Sequence, residues 1–121
     1  MSHRLPYLYA PVRACLRGPA SDPRTVGVLV VPVGGGMPSM ARAELPSDAA
    51  GQAVSRGRDD ILAEARAVVA ESGGNADALV SWWERRAAYD ADGVYLARPM
   101  AGAAADPVAE GVVILGGYAE G

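Results

Sequence analysis

Two segments of this chain, Val26 to Val33 and Val112 to Leu115, are apolar at nearly every position, so as strands they carry apolar side chains on both faces. Such a strand belongs in the interior of a sheet covered above and below. Against that need the sequence offers one pair of amphipathic helices. An αα-hairpin of about fifteen residues per helix covers one face of a four-stranded sheet at the usual ~10 Å layer spacing. At ~25 cal/mol per Å², several such side chains left in water would forgo several kcal/mol and form an apolar patch uncommon on a monomer. Cover for the second face is therefore expected from a partner, with a symmetric dimer the simplest closed form. The competing arrangement folds the irregular segments Gly34 to Pro46 and Met100 to Glu110 back over that face.

From the amino terminus, Leu5 to Leu16 alternates. Leu8, Ala10, Val12, Ala14 and Leu16 make one small apolar face, while Tyr7, Tyr9, Arg13, Cys15 and Arg17 point the other way. Pro6 and Pro11 cannot donate to a ladder, which predicts an edge strand or a bulge, the edge being expected. Turn residues fill Arg17 to Arg24, and the β-branched run Thr25 to Val33 follows, so the two strands should form an antiparallel hairpin. In the second strand Val26, Val28 and Val30 face one way and Leu29, Val31 and Val33 the other, a pattern that predicts a central position. Gly34, Gly35 and Gly36 end it, and the chain to Pro46 reads as an irregular connection with one helical turn at Ser39 to Leu45.

A helix begins after Ser47 and is interrupted by Gly51 and Gly57, each costing about 1 kcal/mol relative to alanine. Its uninterrupted part is Arg58 to Glu71, with Ile61, Ala65 and Val68 as its stripe and Leu62 and Val69 beside them. Gly73 and Gly74 supply a left-handed stop. Asn75 caps a second helix that reaches Tyr89 or Asp90, with Leu79, Trp83 and Ala87 on its stripe and Gly93 at its end. Two strands, Gly93 to Arg98 and Gly111 to Tyr118, separated by the loop Met100 to Glu110, close the chain. The expected fold is α+β: a four-stranded, mainly antiparallel sheet in ββααββ order with an αα-hairpin packed on one face, in a single domain spanning residues 1–121.

Composition narrows the function classes. All eleven basic residues are arginine, and alanine, glycine and proline abound, which points to a GC-rich coding sequence of bacterial or viral origin. The net charge of −3 is uneven: Arg4, Arg13, Arg17 and Arg24 against Asp22 give residues 1–24 a sum of +3, leaving −6 for the rest. Nucleic-acid binding is disfavoured overall. A local anionic contact stays open at the basic end, although solvated arginines on an edge strand are the commoner cause of such a cluster. Cys15 stands alone, so neither an internal disulfide nor a cysteine metal cluster can form. With no apolar secretory run and no stretch of ~18 apolar residues, a cytoplasmic protein without a membrane partner is expected.

No catalytic motif stands out. Gly34-Gly35-Gly36 could bare backbone N–H groups to an anion, with Arg42 as the nearest completing charge, but neither a P-loop ending nor a dinucleotide fingerprint accompanies it. Asp60 and Glu64 are one helical turn apart, next to Asp59. Arg56, Arg58 and Arg66 around them suit a solvated, charge-balanced face, and neither a metal nor another cofactor is predicted. His3 lacks an orienting partner, and Cys15, although flanked by Arg13 and Arg17, lacks a base. Trp82 projects about 100° from Trp83 and so sits at the margin of the buried stripe, where an interface could use it. Tyr7, Tyr9, Arg13 and Arg17 are residue types enriched in contact surfaces and form the leading candidate binding surface.

The stretch from Trp83 to Leu115 is a helix followed by Asp-Gly-Val-Tyr-Leu-Ala-Arg-Pro, an alanine and aspartate loop and Gly-Val-Val-Ile-Leu. It loosely resembles the middle of YciI-like dimeric α+β proteins over about a quarter of the chain. The amino-terminal hairpin lies outside that pattern and the family's active-site His-Asp pairing has no counterpart here, so the resemblance transfers no residue.

These features lead to two expectations. The first is a non-enzymatic, homo-oligomerising component of an assembly, such as a cellular or viral particle, whose partner is itself or another protein. The alternative is a small oligomeric enzyme or ligand-binding protein with a pocket between sheet and helices. A polar-lined cleft holding a perturbed titratable group would favour the second.

Overall fold

A computed structural model describes residues 4–16, 23–33, 36–87 and 94–120. The expected hairpin forms from β1 (Leu5–Ala14) and β2 (Arg24–Pro32), antiparallel from Tyr7↔Pro32 to Ala14↔Arg24. β2 is central as its two-faced pattern requires, because β3 (Ser39–Arg42) pairs with its far side. In place of the helical turn expected at Ser39 to Leu45, Ser39–Arg42 is a strand and 43–45 are irregular. Beyond α1 (Ala49–Ser72) and α2 (Ala76–Ala87) come β4 (Val94–Leu96) and β5 (Met100–Ala104). Both lie along β1, with β5 beside Leu5 to Tyr9 and β4 beside Val12 to Ala14.

β1 is thus flanked on both sides and is not the edge strand that its prolines suggested. The ladder accommodates both rings at its joints. Pro11 sits where the outer partner changes from β5 to β4, and its carbonyl accepts the Ala97 N–H at 3.0 Å. Pro6 lies just past the last β1–β2 register pair, where its carbonyl accepts the Val33 N–H at 3.0 Å. The bulge that proline also allowed is present: the register steps from Val12↔Gly27 to Arg13↔Thr25, leaving Val26 as the extra residue. Val26 consequently packs with Leu29 and Val31, rather than with Val28 and Val30 as strict alternation predicted.

The αα-hairpin is present on one face. Asp48 caps α1, its Oδ1 accepting the Gly51 N–H at 2.9 Å. Gly51 and Gly57 do not break this helix, and each is explained by a close approach. A Cβ at Gly51 would strike the Pro46 carbonyl, and one at Gly57 would lie 3.0 Å from Val94 Cγ2. Gly73 ends the helix at φ 67° and Gly74 follows at φ 81°. Asn75 Oδ1 then accepts the Ala78 N–H at 3.0 Å and starts α2. The expected end of α2 at Tyr89 or Asp90, Gly93 and the turn residues 17–22 lie outside the described residues. Ile61, Ala65, Leu79 and Trp83 pack on Ala10, Val12, Ala14 and Leu29 to form the larger core.

The main departure is at the carboxyl end. Gly111 to Tyr118 is no strand; it lies within α3 (Pro107–Glu120). Asp106 caps this helix, its Oδ1 accepting from Val108 at 3.2 Å and Ala109 at 3.3 Å, and Pro107 occupies the first helical position. α3 lies across the second sheet face, where Ile114 and Leu115 meet Tyr7, Val28, Val30, Tyr9, Ala41 and Ala104. The face assigned to a partner is covered by the chain's own last helix. Of the two irregular connections, the described part of Gly34 to Pro46 supplies β3, and Met100 to Glu110 supplies β5 and the first turn of α3. The α+β class, the antiparallel sheet and the αα-hairpin are as expected, while the sheet has five strands and the order is βββααββα. None of the described helices is long and apolar enough to cross a membrane.

Candidate functional site

The tyrosines and arginines of β1 separate into two places. Tyr7 and Tyr9 share the α3 side of the sheet, with ring centroids 5.6 Å apart. Tyr7 is only 5% exposed, and its ring lies so close over Gly102 of β5 that a Cβ there would sit 2.6 Å from Tyr7 Cζ. It is a core residue rather than the contact residue expected. Burial raises the Tyr7 pKa above its usual 10.0, nearby Glu110 and Tyr9 push the same way, and Arg4 opposes them. Arg13 is half-buried at the other end of the strand, where its Nη2 donates to the Pro23 carbonyl at 3.3 Å. Arg17 lies outside the described residues.

Trp82 is also interior. Its Nε1 donates to Glu64 Oε1 at 3.3 Å across the α1–α2 seam, and its ring meets Trp83 edge-on with centroids 5.8 Å apart. Glu64 Oε2 lies 3.3 Å from Arg86 Nε, so this carboxylate ties the two helices together. Asp59 pairs with Arg42 at 2.8 Å, so the charge expected to complete an anion loop already faces an acid on α1. Of that loop, Gly34 and Gly35 lie outside the described residues, and Gly36 packs against the Pro32 ring. Cys15 is in no disulfide and half-buried. Among the described residues no group of three or more His, Cys, Asp or Glu could hold a metal.

Sequence reasoning missed Arg58, which is 6% exposed beneath the sheet. Its Nη1 donates to the Val26 carbonyl at 2.8 Å and to the Ala43 carbonyl at 3.0 Å, joining the bulge to the segment after β3. Burial lowers its pKa, Arg42 adds to that, and Asp59 opposes it. An arginine among acids on a helix gives no sign of such a role, because its carbonyl partners lie far away in the chain.

Three surface features remain as candidates. A cleft of about 770 Å³ at the turn end of the β1–β2 hairpin is lined by Arg13, Arg24, Thr25, Glu44, Leu45 and Tyr118, among others. A second, of about 680 Å³, lies beside β4 and includes Glu84, Tyr95 and Arg98. The third is the outer side of α3, where Val108, Val112 and Val113 are 52%, 62% and 66% exposed. Between Glu110 and Glu120 this helix has no charged residue, and it has no basic residue at all. The signal that could have revealed it was Asp106-Pro107, a cap and first-turn pair placed just before the apolar run.

No protein-family model, no curated protein and no solved structure matches the chain, so the YciI-like resemblance gains no support.

Proposed function

We propose that this chain is a non-enzymatic, homo-oligomerising assembly or protein-interaction component whose copies meet through the outer face of α3. One observation carries the reading: the exposed valines Val108, Val112 and Val113 stand on a helix whose opposite side is already buried against the sheet. A helix apolar on all sides is ordinarily covered on all sides. A second copy is the occupant that fits best, because this face bears no charge between Glu110 and Glu120 and two of them can meet about a twofold axis without like charges in opposition. The small residues Ala109, Gly116 and Gly117 between and beyond the valines let two helices approach closely. The premise drawn from an uncovered sheet is gone; the need for cover has moved to α3.

An enzymatic role has less behind it. Tyr7 and Arg58, the groups among the described residues whose ionisation burial displaces, line neither cleft, whereas a working site ordinarily contains such a group.

Sedimentation of the full chain tests the proposal. The wild type should show a multiple of 12.4 kDa, and Val112→Asp/Val113→Asp, a change confined to exposed positions, should sediment as one chain with unchanged circular dichroism. A wild type that stays monomeric from about 1 µM to about 1 mM sinks the reading.

A further inference from the structure

We propose that the cleft at the turn end of the β1–β2 hairpin binds a small molecule bearing a carboxylate or phosphate group on an apolar body. The exposed valines of α3 lie outside this cleft, although Gly117 and Tyr118 of the same helix line it. The register of β1 and β2 pairs Arg13 with Thr25 and Ala14 with Arg24, so the two arginines stand one position apart at one end of the sheet, on opposite faces of the pleat, and the cleft wraps that end. Both line the same concavity, in which Glu44 is the sole acid among the described lining residues. A cationic cleft on a chain of net charge −3 is a local arrangement and no consequence of overall composition.

Hydrogen bonding in the cleft is incomplete. Arg13 Nε is buried and has no hydrogen-bond partner among the described residues, and Arg13 Nη2 has one long bond, to the Pro23 carbonyl at 3.3 Å. Neither Arg13 nor Arg24 is paired with an acid among the described residues, unlike Arg42 and Arg86. The Nε itself is closed to a ligand in the cleft; the acceptors are supplied to the guanidinium groups that line it, where a planar or tetrahedral oxyanion matches the arginine fork with charge-assisted bonds. The Thr25 hydroxyl offers a further donor on the same wall.

Size and lining specify the rest of the ligand. A volume of about 770 Å³ far exceeds an inorganic ion and falls within the range of small-molecule sites. Leu16, Leu45 and the Tyr118 ring supply apolar walls. An anion with an aromatic or aliphatic body uses both halves of the cleft.

The test is a titration of the full chain, followed by amide NMR shifts at constant ionic strength, with phenyl phosphate, benzoate, inorganic phosphate and chloride. Phenyl phosphate or benzoate should bind saturably, shifting residues 13, 24–26, 43–45 and 118, and about tenfold more tightly than inorganic phosphate. Which of the two binds better separates a phosphate from a carboxylate ligand. Arg24→Gln, at an exposed position where folding is not at stake, and Arg13→Gln should each weaken that binding about tenfold, while Arg98→Gln in the other cleft should leave it unchanged. The proposal is overturned if neither organic probe gives saturable shifts at these residues, or if Arg24→Gln and Arg13→Gln bind as the wild type does.

Discussion

Single side chains carry two consequences that can be measured. Arg58 gives the Ala43 carbonyl a charged donor and shares the Val26 carbonyl with the Ala43 N–H, itself 3.1 Å away. Arg58→Met fills the space with apolar atoms and relieves the buried charge, but it strips the Ala43 carbonyl of its partner. The lost charged hydrogen bonds outweigh the relief, so urea unfolding should show a loss of about 1–3 kcal/mol at an unchanged slope. A variant as stable as the wild type would mean that the bulge holds itself. Tyr7 makes the second case. Its pKa is raised in the fold, so above the unfolded value of 10.0 the unfolded chain releases a proton that the native chain keeps, and stability falls as pH rises through that window. Below pH 10 the term is absent. The chain has no lysine, so no ammonium side chain adds to that window. Tyr7→Phe should flatten the decline in urea midpoint between about pH 9.5 and pH 11, and an equal decline in the variant would assign it elsewhere. The inward positions Ala10, Val12 and Ala14 could be read from the sequence, because a strand's period of two is local. Tyr7, Trp82 and Arg58 could not, because what buries each of them is a distant element.

Elements were legible where their stop and start signals were unambiguous. Gly73-Gly74-Asn75 marks one helix end and the next beginning by backbone conformation and capping alone, and the structure uses those residues so. α3 was misread because the β-branched Val112, Val113 and Ile114 run on into Leu115, an apolar stretch that periodicity cannot distinguish from a buried helix at that length. The decisive chemistry lay outside the run, at Asp106-Pro107. β3 and β5, being Ser-Met-Ala-Arg and Met-Ala-Gly-Ala-Ala, lack β-branched residues and form because β2 and β1 present open ladders to them. The seating of α3 makes a two-sided prediction. A Cβ on Gly111 would lie 2.7 Å from Val30 Cγ2, whereas Gly116 faces open space. Gly116→Ala should stabilise the protein by up to about 1 kcal/mol through helix propensity. Gly111→Ala earns the same propensity but must push α3 off a fully buried valine, with an expected net loss of about 1–2 kcal/mol. Thermal melts of the two variants on opposite sides of the wild type would confirm the seat, and stabilisation by both would refute it.

For the molecule as a whole, an excess of apolar surface over cover was legible, but its place was not. The sequence count assumed four strands and two helices. With α3 added, the sheet is enclosed and the surplus reappears on the outside of the covering helix, at Val108, Val112 and Val113. If copies associate through that face, folding and assembly are linked by mass action, and the melting temperature must depend on protein concentration. Each tenfold increase in free partner above the dissociation constant adds about 1.4 kcal/mol to the apparent stability, which for a chain of this length is a shift of several degrees. The wild type should therefore melt progressively higher from dilute to concentrated solution, and Val112→Asp/Val113→Asp should melt at one temperature throughout. Because both aspartates replace exposed valines, the variant's melt should coincide with that of the most dilute wild type. A variant that melts far below it would show that these valines support the fold of a single chain, and the α3 face would then lose its claim as a contact between copies.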